Sequence, residues 1–189
     1  MKDYILEVCV DSVESALAAE RGGATRLELC ANLVIGGTTP GYPLFEQVKK
    51  ETGLPVRTLI RPRFGDFLYT QYEHRQMLQD IRHFAQAGAD GVVIGSLNAD
   101  GTLNTEQIQE MMEAAGSCAV TMHRAFDVCA DPFEALKKSA ELGVDTILTS
   151  GQEADCLAGC GLLKKLVQLT DQSRSDSRRV TILAGAGVT

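Results

Sequence analysis

Two short runs carry the same chemistry-bearing triplet, Leu6-Glu7-Val8-Cys9 and Leu27-Glu28-Leu29-Cys30. Glu and Cys alternate with Leu and Val. In extended chain, therefore, Glu7, Cys9, Glu28 and Cys30 share one face and the apolar residues take the other. Adjacent strands lie about 4.8 Å apart, so the two thiols fall within reach of each other. Carboxylates turned into a protein interior need partners, and Ile60-Arg61-Pro62-Arg63-Phe64-Gly65 offers two guanidinium groups. Three more polar runs follow: Thr121-Met122-His123-Arg124-Ala125-Phe126-Asp127, Thr149-Ser150-Gly151 and Ala184-Gly185-Ala186-Gly187. This set suits a small anion. Arg61, Arg63 and Arg124 would hold a carboxylate or phosphate. His123 or Glu28, with Glu7 beside it, would act as general acid or base. Ser150, Gly151, Gly185 and Gly187 would supply the hydroxyl and backbone N–H groups that bind phosphate.

Each residue also has a plainer role. Glu7 and Glu28 can form a structural ion-pair layer with Arg61 or Arg63. Cys9 and Cys30 can be inert core thiols, since Cys is among the most buried residue types. His74 and His83 read as surface histidines of a helix. Cys156 and Cys160 are spaced to share one helix face, a weak metal signal as a lone pair. Cys118 and Cys129 offer only packing. No Lys falls at a predicted strand end, which disfavours Schiff-base chemistry within these residues.

The elements that must position these groups alternate strictly. Short β-branched runs predict strands at Ile5–Val10, Arg26–Cys30, Val56–Ile60, Gly91–Ile94, Ala119–His123, Thr146–Leu148 and Val180–Leu183. Helical spacing predicts helices at Val13–Arg21, Leu44–Thr52, Glu73–Ala87, Thr105–Ala115, Pro132–Leu142 and Leu157–Thr170. Caps fit at Asp11 or Ser12, at Asn104, and at Asp131 with Pro132 behind it. One junction recurs at Ala19–Glu28, Ala85–Ile94 and Ala140–Leu148: a helix ends, the chain turns on Gly, and a buried strand begins. Alternation with short links predicts a parallel sheet. Polar residues at nearly every strand end, with no Gly-rich dinucleotide fingerprint after the first strand, favour a TIM-type (β/α)8 barrel over an open sheet. Seven strands and six helices make a single barrel domain over residues 1–189, truncated after the seventh strand; a closed barrel needs a further helix, strand and helix.

Composition removes other classes. The net charge of −7 argues against a nucleic-acid partner, and the basic run Arg174 to Arg179 is broken by Ser and Asp. No stretch approaches the roughly 18 apolar residues of a membrane span, and the N-terminus lacks signal-peptide features, so a cytoplasmic location is expected. Six cysteines in such a chain are expected to be free thiols, metal ligands or catalytic groups.

Taken in order, Glu7-Val8-Cys9-Val10-Asp11-Ser12, Glu28-Leu29-Cys30, Gly36-Gly37-Thr38-Thr39-Pro40, Ile60-Arg61-Pro62-Arg63, Gly65-Asp66-Phe67, His123-Arg124-Ala125-Phe126-Asp127 and Thr149-Ser150-Gly151 closely resemble the CutC copper homeostasis protein family. The resemblance runs through the whole chain. It implies a cytoplasmic (β/α)8 barrel, a homo-oligomer (dimer or tetramer) and a role in copper trafficking or tolerance, with Cys9 and Cys30 at the positions of the family's proposed Cu(I) ligands. Soft thiolates do select Cu(I). Arginines are not needed for copper, however, and suit a small carboxylate or phosphate better. Two functions thus stand open: Cu(I) homeostasis, and a barrel enzyme acting on a small phosphate- or carboxylate-bearing substrate.

Overall fold

The computed structural model describes residues 4–172 and 179–188. Seven strands alternate with six helices: β1 Glu7–Val10, α1 Val13–Arg21, β2 Arg26–Leu29, α2 Tyr42–Glu51, β3 Val56–Leu59, α3 Gln71–Gln86, β4 Gly91–Ile94, α4 Thr105–Ala115, β5 Ala119–Met122, α5 Pro132–Leu142, β6 Thr146–Thr149, α6 Cys160–Gln172 and β7 Thr181–Ala184. The strands form one sheet in the order β1-β2-β3-β4-β5-β6-β7, with parallel pairing. That sequential parallel order, with a helix at every crossover, is (β/α)-barrel topology. The expected elements are all present; Val13–Arg21, Gly91–Ile94, Thr105–Ala115 and Pro132–Leu142 keep their expected bounds, and the others have ends moved by one to three residues. Two short 3-10 turns, Leu33–Ile35 and Arg124–Val128, were not foreseen. No described helix is long and apolar enough to cross a membrane.

The expected caps form. Ser12 and Ser15 make a reciprocal capping box at α1. The Asn104 side chain accepts from the Gln107 N–H at 3.1 Å. Asp131 accepts from the N–H groups of Phe133 and Glu134, with Pro132 opening α5. The recurrent junction has a role its sequence did not reveal. Thr25, Asp90 and Asp145 follow the turning glycines, and each side chain accepts the N–H of a residue at the start of the preceding strand: Leu6 at 2.8 Å, Val56 at 2.8 Å and Val120 at 2.7 Å. Each also donates its own N–H to the carbonyl of that residue. Three two-point clamps thus fix the register of adjacent strands at their N-terminal ends.

The chain groups into two compact units. The first comprises the residues up to Asp66, Tyr72–Val93 and Ala114–Ala119; the second comprises Phe67–Gln71, Ile94–Glu113 and the residues from Val120 onward. In the first, the register aligns Leu27 with Val56, and Leu29 with Thr58 and Val92, on one sheet face. The opposite face aligns Cys9, Glu28, Arg57 and Gly91. Gly91 has a steric role there, because a Cβ would lie 2.7 Å from the Ala119 carbonyl and 3.0 Å from the Arg57 stem. On α3 the buried side chains are His74, Met77, Ile81 and Phe84, so His74 is a core residue and not the surface histidine expected. In the second unit, the core includes Ile108, Met111, Met122, Phe126, Ile147 and Leu166.

Candidate functional site

Each unit builds one polar cluster. In the first, Glu7 opens β1 and is salt-bridged to Arg26, its register partner at the start of β2. This corrects two expectations. Glu7 stands at the N-terminal end of its strand, away from the loops that follow the sheet, and its partner is neither Arg61 nor Arg63. Two residues further along, Cys9 lies opposite Glu28, and Cys30 follows two positions beyond. The thiols therefore meet diagonally, with the Glu28 carboxyl among them. Cys30 Sγ is 3.6 Å from Glu28 Oε1. Both cysteines are free, Cys9 exposed and Cys30 buried beside Leu59 and Val93.

This cluster is under electrostatic stress. Glu28 is only 4% exposed, and its Oε2 has no hydrogen-bond partner; Arg26 Nη2 is also buried without one. Burial first, then the negative charge of Glu7, pushes the Glu28 carboxyl up to about 7. Hydrogen bonding with Cys9, then burial and the Glu28 charge, pushes the Cys30 thiol well above its ordinary value. Cys9 and Cys30 can offer a soft ion two sulfurs, but Cys30 must give up a tightly held proton to do so. Among the described residues, no three His, Cys, Asp or Glu side chains converge as a metal-holding group.

Arg61 and Arg63 are engaged with their own loops. Arg61 donates to the carbonyls of Gly36 at 3.2 Å, Gly37 at 3.0 Å and Gly65 at 3.0 Å. Arg63 pairs with Glu73 at 2.5 Å and Asp66 at 2.9 Å. The expected pair of ligand-holding arginines therefore ties down the segments after β2 and β3.

In the second unit, the loops after β5 and β6 interlock through Asp127, a residue whose hub role was not read from the sequence. Its carboxylate accepts from Thr149 Oγ1, from the N–H groups of Ser150 at 3.0 Å and Gln152 at 3.2 Å, and from Arg124 Nε at 2.7 Å. Burial pushes this carboxyl up, but the bonds from Thr149, Arg124, Ser150 and Gln152 outweigh it and hold it below its ordinary value. Arg124 Nη2 also donates to Ser150 Oγ at 2.9 Å, and its side chain stays 44% exposed.

His123 is buried, and its Nδ1 accepts the Ala125 N–H at 3.1 Å. A neutral ring thus carries its proton on Nε2. The ring packs against Phe67, centroids 4.8 Å apart, and over Gly95, where a Cβ would lie 2.5 Å from its Cε1. After β7, Gly185 N–H donates to Thr149 O at 3.0 Å, and the Cys156 N–H donates to Ala186 O at 3.0 Å. Helix α6 begins at Cys160, so Cys156 lies in the preceding loop and the two do not share a helix face. The basic run at 174–178 falls outside the described residues; Arg179 pairs with Asp171 at 2.6 Å.

These motifs can be set beside known proteins. The family model described as "CutC family" matches residues 4–189. The chain belongs to the CutC family. A CutC family protein of Bacteroides thetaiotaomicron is 49% identical over 189 residues, covering 100% of this chain and 74% of its own length. The crystal structure of CutC from Streptococcus agalactiae, provisionally assigned to copper homeostasis, superposes with a TM-score of 0.89 at 30% identity, covering 98% of this chain and 90% of that one. Beyond the CutC family, phosphoenolpyruvate phosphomutase from Streptomyces platensis subsp. rosaceus gives a TM-score of 0.62 at 14% identity, over 97% of this chain and 77% of that one. At that identity the likeness is one of fold.

Proposed function

We propose that this CutC-family protein is a (β/α)-barrel enzyme acting on a small phosphate- or carboxylate-bearing molecule, bound where the loops after β5 and β6 meet. One observation carries the reading: Arg124 is held through Nε and Nη2 by Asp127 and Ser150, and its outer edge remains exposed. A guanidinium oriented in advance binds an oxyanion without first losing side-chain freedom. The fold is shared with a protein named for phosphoenolpyruvate, which bears both groups. In the same unit, His123 is the acid–base candidate, its Nε2 proton positioned as a donor by the Ala125 bond at Nδ1. A thermal-shift screen of small phosphates, phosphonates and carboxylates tests the reading. Stabilisation by one class, lost in Arg124→Gln, is the expected result; hits indifferent to that change would sink it.

The diagonal contact of Cys9, Glu28 and Cys30 favours a second reading, in which the two thiols carry Cu(I) as cargo. Anaerobic titration against a competing Cu(I) chelator should show one tight equivalent, lost in the Cys9→Ser/Cys30→Ser variant. Weak binding unchanged by those substitutions would remove copper from consideration.

A further inference from the structure

The second unit also holds a cleft of about 410 Å³ between the loop after β4 and the start of α5, and none of its walls belongs to the Arg124 cluster. We propose that this cleft binds a small primary amine as its ammonium ion, with the alkyl part laid on an apolar floor. The floor is Leu103, Cys129 and Ala135, all buried. The rim is polar and exposed, with Asn98 and Thr102 on the loop side and Asp131 and Glu134 on the helix side. The walls are fixed without a ligand. Asn98 N–H donates to Thr102 O at 2.8 Å, closing the loop on itself, and Ala130 N–H donates to Gly101 O at 2.9 Å, seating that loop on the start of α5. A Cβ on Gly101 would lie 3.3 Å from Ala130 Cβ, so the two backbones are in close approach.

The rim carries more acceptors than the fold consumes. Carboxylates in the first turn of a helix are ordinary partners of its dipole, and Asp131 does cap α5. It does so through Oδ1 alone, which takes the N–H groups of Phe133 and Glu134 at 2.8 and 3.2 Å and leaves Oδ2 over. Glu134 stands where a capping box would turn it back to the Asp131 N–H, yet it makes no hydrogen bond or ion pair with any described residue. Asn98 Nδ2 donates to Thr102 Oγ1 at 3.0 Å and to Leu103 O at 3.3 Å, so its Oδ1 is the atom left to accept. Lys138, the cation of the wall, is drawn off to Glu141 at 2.9 Å. The surplus negative charge is felt at the floor, where burial, then the Asp131 carboxylate, pushes the Cys129 thiol up to about 11. An ammonium group brings three donors to these three acceptors. A hard metal ion needs oxygen on all sides, and among the described residues no three His, Cys, Asp or Glu side chains converge to hold one. The apolar floor adds burial for an alkyl chain, which a bare ammonium ion would not use.

Two-dimensional NMR titration of the full chain with butylamine, 1-butanol and butyrate, at neutral pH and matched ionic strength, tests this. Butylamine should shift the amide signals of Gly101, Thr102 and Ala135 to saturation. Butanol has the same floor contact without the charge and should bind about tenfold more weakly, the scale of one charge-assisted hydrogen bond. Butyrate should leave the signals in place. Asp131→Asn keeps the capping oxygen, and Glu134→Gln breaks no bond; together they should erase the difference between amine and alcohol. Glu134→Gln alone should narrow it, and serves if the double variant fails to fold. Butanol binding as tightly as butylamine, or an amine preference that survives both substitutions, would overturn the ammonium site. So would signals that none of the three ligands moves.

Discussion

In the Cys9–Glu28–Cys30 cluster the polar groups come from strands, whereas in the Arg124–Asp127–Ser150 cluster they come from loops, and this difference sets their chemistry. Strand positions are fixed by register, so Glu28 cannot turn towards a better partner: its Oε2 is orphaned and its carboxyl is pushed up to about 7. Loop backbone can wrap around a charge, and the segment from Thr149 to Gln152 does so around Asp127, whose carboxyl is held low. Burial opposes ionisation in both, and the supply of donors decides the outcome. A cluster short of partners is poised to exchange protons. One rich in partners is rigid, and presents what it does not consume.

The comparison breaks most directly at Asp127. Asp127→Ala removes an acceptor from four donor groups and should cost about 3 kcal/mol in urea unfolding at neutral pH. Because the folded carboxyl titrates below its ordinary 3.8, its contribution is present above that value and lost as pH falls through the lower folded value. The gap between wild type and variant should therefore close under acid; a gap unchanged to pH 2 would show that the carboxylate charge is irrelevant.

Glu28→Gln should move in the opposite direction. Between 4.5 and about 7 the folded state holds a proton that the unfolded state has released, so wild-type stability falls as pH rises through that window. The variant should thus be the more stable protein at pH 8, by up to about 3 kcal/mol, with the advantage gone near pH 4.5. Urea midpoints at the two pH values decide it, and a variant weaker than wild type at pH 8 would mean that the ionised carboxyl has a partner.

Smaller effects separate the two arginines that their own loops consume, one buried and one half-exposed. Arg61→Lys loses the fork that reaches the carbonyls of Gly36, Gly37 and Gly65, and should lower stability by about 2 kcal/mol. Arg63→Gln loses half-exposed pairs with Glu73 and Asp66 and long, exposed bonds to the carbonyls of Phe64 and Asp66, and should cost less than about 1 kcal/mol. Equal losses in thermal melts would contradict the distinction drawn between the two.

The elements were legible in the sequence because period-two and helical patterns report burial directly, and the caps at Ser12, Asn104 and Asp131 mark helix starts by local chemistry. The burial of Glu28 and His123 agrees with the same rule, and the rule extends to Arg26, which shares the parity of Glu28; that was the signal for the partner of Glu7. The burial of His74 was legible too, since it stands in helical spacing with Met77, Ile81 and Phe84. What could not be read was where long side chains end. Arg61, Arg63 and Arg124 look alike as strand-end arginines. Yet the first two reach their own loops and the third keeps an exposed edge, because loop paths, set by positive-φ residues such as Gly36 and Gly65, decide which carbonyls come within reach. The hub role of Asp127 was hidden for the same reason: three of its four donors, Thr149, Ser150 and Gln152, lie 22 to 25 residues away in the chain.

The clamps of Thr25, Asp90 and Asp145 bear on how such a protein changes over generations. Each grips the N-terminal end of a neighbouring strand, and none draws on the loops at the opposite end. Alignment of the framework is thereby insulated from alteration in the loops at the C-terminal ends of the strands, so those loops can be rewritten by insertion or substitution without unthreading the sheet beneath them. A scaffold stitched along one rim leaves the other open to invention.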